Sequence, residues 1–244
     1  MQSAPGPYMH GNRDHPKIGR FGDNRGSPRG KPPMYMPPQF NAKDPAIALE
    51  LMRSHPFASL ISNDTDGLPF VTHLPLVAEA GESDQLALWG HCAKPNPHWR
   101  YLQARPQAVV TFLGPHSYLS PQVYPDLARV PTWNYLAVHC TVEARLIEEP
   151  TEKDVLLKKL IGEHEPAYAQ QWRDLGEEFQ RKMLNGIVGF ELKVTALQCK
   201  VKINQHRRES HAGMRAMYGA GTPDEQALAA WMDRLGMNAE AQGS

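Results

Sequence analysis

His91, Lys94 and Asn96 fall in one short stretch, "LALWGHCAKPNPHWRYL" at 86–102, and their types suggest a site for a phosphate. An apolar alternating run ends on the histidine, one lysine follows, and Asn96 stands between two prolines where a helix begins. A cation beside the first amides of a helix is a common anion site, because those amides carry partial positive charge. The two prolines remove donors from the same place. Asn96 followed by Pro97 reads equally well as an ordinary helix start in which the asparagine only caps.

Other residues offer flat or titratable groups. In "VTHLPL" the strand alternation puts Val71, His73 and Pro75 on one face and Thr72, Leu74 and Leu76 on the other. A lone strand histidine is ordinarily a surface group. One histidine also suffices as an axial haem ligand, which applies to His73 and His91 alike. His91 and Cys92 make a poor zinc pair, since strand neighbours point to opposite faces. Trp133 and Tyr135 in "VPTWNY" share a face, as two flat surfaces for a cofactor ring or as plain core and interface fillers. In "CKVKINQHRR" the residues Lys200, Lys202, Asn204 and His206 line one side, either as a lysine-guarded edge or as a contact for phosphate or ring.

The pattern excludes several classes. There is no GxGxxG, no GxxxxGK[ST], no HExxH and no nucleophile elbow, so hydrolysis and the common nucleotide folds are not signalled. Chemistry, if any, comes from a cofactor. The 26 Lys and Arg equal the 26 Asp and Glu, so the molecule has no net field to gather nucleic acid. The cysteines, Cys92, Cys140 and Cys199, are three and widely spaced, which predicts free thiols and a cytoplasmic protein rather than a disulfide framework. No apolar run is long enough to span a membrane.

These residues must be positioned by a largely β chain. Residues 1–33, with six glycines and six prolines, are expected to form a disordered extension. Asp44 and Pro45 open a helix to about 54, and 57–62 and 68–77 read as a hairpin turning at Asp66 and Gly67. Strands follow at 85–91 and 107–113, around a helix at 97–104. The segment 114–130 reads as a long loop, and 132–147 as a long, bent strand. Helices are expected from Thr151 and over 177–184. Residues 186–204 read as two strands joined near Thr195, and Thr222 with Glu225 forms a capping box for a last helix. Irregularly spaced strands with inserted helices predict a mostly β, α+β fold: an antiparallel barrel over 34–208 with peripheral helices, and a helical extension over 209–244.

The motifs "MYMPPQF" at 34, "HPFASLIS" at 55, "THLPL" at 72, "GHCAKPNPHW" at 90, "GPHSYLSPQVYP" at 114, "VPTWNY" at 130 and "IVGFEL" at 187 together resemble the PaiB family of FMN-binding negative transcriptional regulators. The resemblance covers about 34–208. It implies an FMN-binding split β-barrel related to the pyridoxamine-phosphate oxidase flavoproteins, and a homodimer with FMN near the subunit interface. It further implies that Thr72, His73, His91, Lys94 and Asn96 face the phosphate and ribityl chain, and that Trp133 and Tyr135 approach the ring. The family's tail resembles K-x-S-Q-N-R; "KINQHR" matches it at Lys202, Gln205 and Arg207 and departs at Asn204 and His206. Transcriptional repression, with DNA as partner, follows from the resemblance alone, since no helix-turn-helix or basic recognition helix is visible. The other function considered is a flavin- or haem-dependent oxidoreductase or biosynthetic enzyme, akin to the PaiB-like piperazate synthases, with His91 or His73 as the iron ligand.

Overall fold

The computed structural model describes residues 34–80, 85–126 and 128–237; the extension expected at 1–33 lies outside them. Among the described residues there are seven strands and seven α-helices. Chain order is α1 (Pro45–Ser54), β1 (Phe57–Asn63), β2 (Pro69–Pro75), β3 (Val77–Ala80), β4 (Leu86–Ala93), α2 (His98–Ala104), β5 (Gln107–Leu119) and β6 (Thr132–Ile147). Then come α3 (Pro150–His164), α4 (Tyr168–Asp174), α5 (Glu177–Asn185), β7 (Ile187–Lys202), α6 (His211–Gly219) and α7 (Pro223–Arg234). None of these helices is long and apolar enough to cross a membrane.

The strands form one antiparallel sheet in the order β2-β1-β5-β6-β7-β4-β3. Its outermost strands, β2 and β3, are consecutive in the chain and separated by Leu76 alone. Two edges joined by one residue must lie side by side, so the sheet curls into a barrel. No ladder joins β2 to β3 or β4 among the described residues, and the barrel therefore stays split along this seam.

Strand alternation fills the inside. Leu60, Leu88, Val110, Phe112, Leu136, Val138, Val142 and Leu192 are fully or almost fully buried. The apolar stripe of α1, Ala48, Leu51 and Met52, packs into the same core. The stripe arises from helical spacing behind the Asp44 cap, whose carboxylate accepts from the Ala46 N–H at 2.9 Å. Met214, Tyr218, Leu228 and Trp231 of α6 and α7 join this core as well, and α7 begins with the Thr222–Glu225 capping box.

Three expectations are corrected. Residues 114–119 are not loop but the continuation of β5, pairing with Thr132–Tyr135 after a bulge between Leu113 and His116. Gly114 and Pro115 sit in that bulge, where a missing N–H breaks no ladder bond. The stretch 187–202 is one strand, because Thr195 is an extra residue between the pairs Val142–Val194 and Thr141–Ala196, held by its hydroxyl to the Thr141 carbonyl at 3.1 Å. The single strand expected at 68–77 is two, broken at Leu76 where the edges meet.

The seam also needs a close approach. A Cβ on Gly90 would stand 2.5 Å from Leu76 Cδ2 and 3.0 Å from the Pro75 carbonyl oxygen. Gly90→Ala is expected to lower stability by about 1–3 kcal/mol through overpacking. Gly162→Ala, in α3 with nothing within 4 Å, should raise it by about 0.4–1 kcal/mol. Urea midpoints of the two variants check the contrast.

Candidate functional site

The seam is tied across its open end by a buried polar network. His98, at the start of α2 and with no exposed surface, lies between two hydroxyls: its Nε2 is 2.9 Å from Ser62 Oγ and its Nδ1 is 2.8 Å from Thr72 Oγ1. Asn96 Nδ2 donates to the same Thr72 oxygen at 3.1 Å, and Asn96 Oδ1 accepts from the His98 N–H at 3.0 Å. Burial pushes the His98 imidazole down to about 4, so it is neutral in the folded protein.

This network alters the reading of the turn before α2. The Lys94 N–H donates to the Gly186 carbonyl at 2.8 Å and the Asn96 N–H to the Ala93 carbonyl at 2.9 Å. Pro95 and Pro97 have no N–H, and His98's is taken by Asn96. The start of this seven-residue helix thus offers little to an anion, and the Lys94 side chain, exposed and without an ion pair among the described residues, is what the turn presents.

The sheet has two outer faces with different cover. Trp89 and His91 point outward from β4 and lie beneath α3, where Leu156 would meet a Cβ on Gly189, the residue paired with His91. His91 Nδ1 is buried without a partner there, and burial lowers the imidazole's pKa. Among the described residues no helix lies over the outer face of β2, β1 and β5, where Phe57, Val71 and Leu113 are exposed. The register aligns His73, Ser59 and Thr111 in a row across it and continues the row to His139 on β6 and to Gln198 on β7, whose Oε1 accepts from the Met34 N–H at 3.0 Å. His73 Nδ1 is 3.0 Å from Ser59 Oγ, and its ring stacks on Phe57 with centroids 6.2 Å apart.

At the end of this face Trp133 Nε1 donates to His116 Nδ1 at 3.3 Å. Lys202 Nζ donates to Thr132 Oγ1 and to the Trp133 carbonyl, both at 2.7 Å, and lies 5.8 Å from the centre of the Tyr135 ring. Burial, and then the charge of Lys200, lower the Lys202 pKa. Gln205 is occupied with backbone, donating to the Gln39 and Val201 carbonyls at 2.9 and 2.7 Å. Arg207 is exposed, 4.0 Å from Glu209. Asn204, one departure from the tail motif, adopts φ +60° and is held through its amide by Tyr124 and Ser210; asparagine tolerates that left-handed backbone better than most residues. His206 packs edge-on against Phe40.

The structure therefore brings together Thr72 and Asn96 at the seam, and separately Trp133, Tyr135 and Lys202 at one end of the open side, whereas His73 lies apart from these three, beside Ser59 and Phe57. His91, Lys94, Gln205 and Arg207 stand apart from both groups. His98 and Ser62 carry no motif of their own in the sequence, and Lys200 stands there only as one member of the alternating row 200–206. The signal for His98 was its place two residues after Asn96, within reach of an asparagine cap.

A family described as "Putative FMN-binding domain" matches residues 34–196. The "Protease synthase and sporulation protein PAI 2" of Bacillus subtilis is 33% identical over 180 residues, covering 72% of this chain and 84% of that protein. Among solved structures, the flavocytochrome Anf3 of Azotobacter vinelandii superposes with a TM-score of 0.56 at 16% identity, over 68% of this chain and 71% of that one. The FAD and heme binding protein of Mycobacterium smegmatis gives 0.51 at 16% identity, over 67% and 74%.

Protonation of His98 provides a test of the seam. Its folded-state pKa lies below the unfolded value, so the unfolded chain binds more protons between about pH 6.5 and 4 and stability falls as pH drops through that window. His98→Gln, which cannot titrate, should show a shallower fall in urea midpoint between pH 7 and 4.5 than the wild type. Equal slopes would contradict the assignment.

Proposed function

The chain belongs to the FMN-binding domain family of the PaiB type, and from that premise we propose that it holds FMN on the open face of its split barrel, beneath a second copy of itself. One observation carries this reading: the uncovered face exposes Phe57, Val71, Leu113 and Trp133 by 68, 45, 56 and 49%. Apolar groups gathered on one face mark a binding surface. The hydroxyls and imidazole of Ser59, Thr111 and His73 run between them, so the face fits a flat ring with a hydrogen-bonding edge. Trp133 and Tyr135 border the ring at one end of this face, leaving Lys202 beside it, and Lys94, which stands apart from them within one chain, supplies the cation for the phosphate from the second copy.

Bound FMN would supply electron transfer. The chain's own residues bind the group, orient its ring on the strand surface and, with the second copy, keep water from it. Thr72 and Asn96 act through the seam, by fixing the turn from which Lys94 projects. The relative from Bacillus is named for sporulation, and a regulatory role for this chain, with flavin occupancy as the signal, is the form in which we carry that over. Loss of any gel shift with the protein's own promoter at low salt would remove DNA from it. Three buried free thiols support a reducing compartment, the cytoplasm.

A haem-dependent enzyme is the second reading, and His73 rather than His91 favours it. His73 is exposed on the open face with one ring nitrogen fixed by Ser59, the usual way of orienting a ligating imidazole. His91 is turned under α3.

The absorption spectrum of the purified protein separates flavin from haem. Lys94→Ala is expected to weaken FMN binding by about 1–3 kcal/mol, the range for a charge-assisted hydrogen bond. Leu113→Glu should shift sedimentation from dimer to monomer and release the flavin with it. A monomeric wild type, or flavin retained unchanged by both variants, would overturn the proposal.

A further inference from the structure

Lys200 is 6% exposed, yet no carboxylate pairs with it among the described residues. Its Nζ donates to the Tyr35 carbonyl at 3.0 Å and lies 5.5 and 5.4 Å from the Tyr35 and Tyr135 ring centres. Lys202, two residues on and on the same face, likewise has no ion pair among the described residues, and donates to the Thr132 and Trp133 oxygens. Lysine is rarely buried without an opposite charge, because an ammonium out of water needs compensation. An ammonium carries three donors, so both side chains keep N–H groups unused. Two adjacent cations, one buried, beside flat rings thus describe a half-built site whose missing half is anionic.

We propose that Lys200 and Lys202, with the ring faces of Tyr135 and Trp133, form a subsite for a planar carboxylate. Its position beside the flavin rests on the function proposed above; the subsite itself does not. A carboxylate lies in one plane and accepts several N–H bonds, so it can join both ammoniums while an attached ring rests on the aromatic shelf. The pair then selects, among molecules that reach the flavin, those bearing an acid group on a flat frame.

The test uses the full chain, flavin-free and flavin-loaded, with benzoate as probe and benzyl alcohol as its uncharged counterpart, read by tryptophan fluorescence. Benzoate should change the emission saturably, Trp133→Phe should remove that change, and benzyl alcohol should bind about tenfold more weakly or worse. Lys202→Met should weaken benzoate by a similar factor. Lys200→Met should do the same, and if it fails to fold, the half-buried Lys202 carries the test. Equal affinity for the two probes, an unchanged Lys202→Met, or a signal that survives in Trp133→Phe would overturn the subsite. So would a Lys202→Met variant that dissociates into monomers while binding benzoate normally, since the counter-ion would then be a carboxylate of the second copy. Benzoate binding by a chain that takes up no flavin upholds the subsite and overturns the FMN reading; flavin uptake without benzoate binding does the reverse.

Discussion

Leu76 alone joins the two edge strands of the sheet. A seven-stranded sheet whose first and last strands are one residue apart cannot lie flat, and the rest of the molecule answers that constraint. The inside must be filled, by α1 and by inward side chains from every strand. The seam must be held without a ladder, by Gly90 letting the edges touch at one end and by the Ser62–His98–Thr72–Asn96 network at the other. Low local dielectric strengthens such a network as long as every member is paired. Here the imidazole has a hydroxyl on each nitrogen, and Thr72 serves both His98 and Asn96.

Curling also gives the sheet two outer faces, and the chain treats them differently. The insertion of α3 to α5 between β6 and β7 covers β3 and β4, with Leu156 and Leu160 over Val77 and Ile147. Among the described residues nothing comparable covers the outward side of β1, β2 and β5. The alternation that sends Leu60, Val110 and Phe112 inward sends Ser59, Thr111 and Leu113 outward. Packing and binding are thereby divided between opposite sides of the same strands, and substitutions on the open side can alter binding while leaving the core intact.

Much of this was legible in the chain. The hairpin at Asp66 and Gly67, the helix behind Asp44 and the capping box at Thr222 are short-range signals, and each is where local chemistry places it. The strand over 114–119 was hidden because glycine and proline ordinarily break strands, and only the bulge opposite Tyr135 makes them compatible with one. The continuity of β7 was hidden because a bulge at Thr195 shifts the alternation by one residue, which a linear reading takes for a turn. Of the site, residue types were legible and partners were not. Asn96 is a cap, as its neighbours suggest, but its other bond goes to Thr72 across the seam, and no local pattern contains that distance.

The turn after β4 shows why residue types underdetermine a site. A lysine near a helix start has the composition of a phosphate cradle, yet Gly186 and Ala93 take the turn's amides and two prolines have none to give. What distinguishes a site from punctuation is which donors remain after the fold has used its own. By that criterion Lys94 contributes a side chain and no more, whereas the pair on β7 keeps donors and meets no counter-charge among the described residues. Lys200 is surrounded by ring faces and one carbonyl, an arrangement that tolerates an ammonium and replaces only part of its solvation. Positive charge left locally at a half-buried place, on a chain whose formal charges sum to zero, is the feature that a bound anion, rather than further packing, would satisfy.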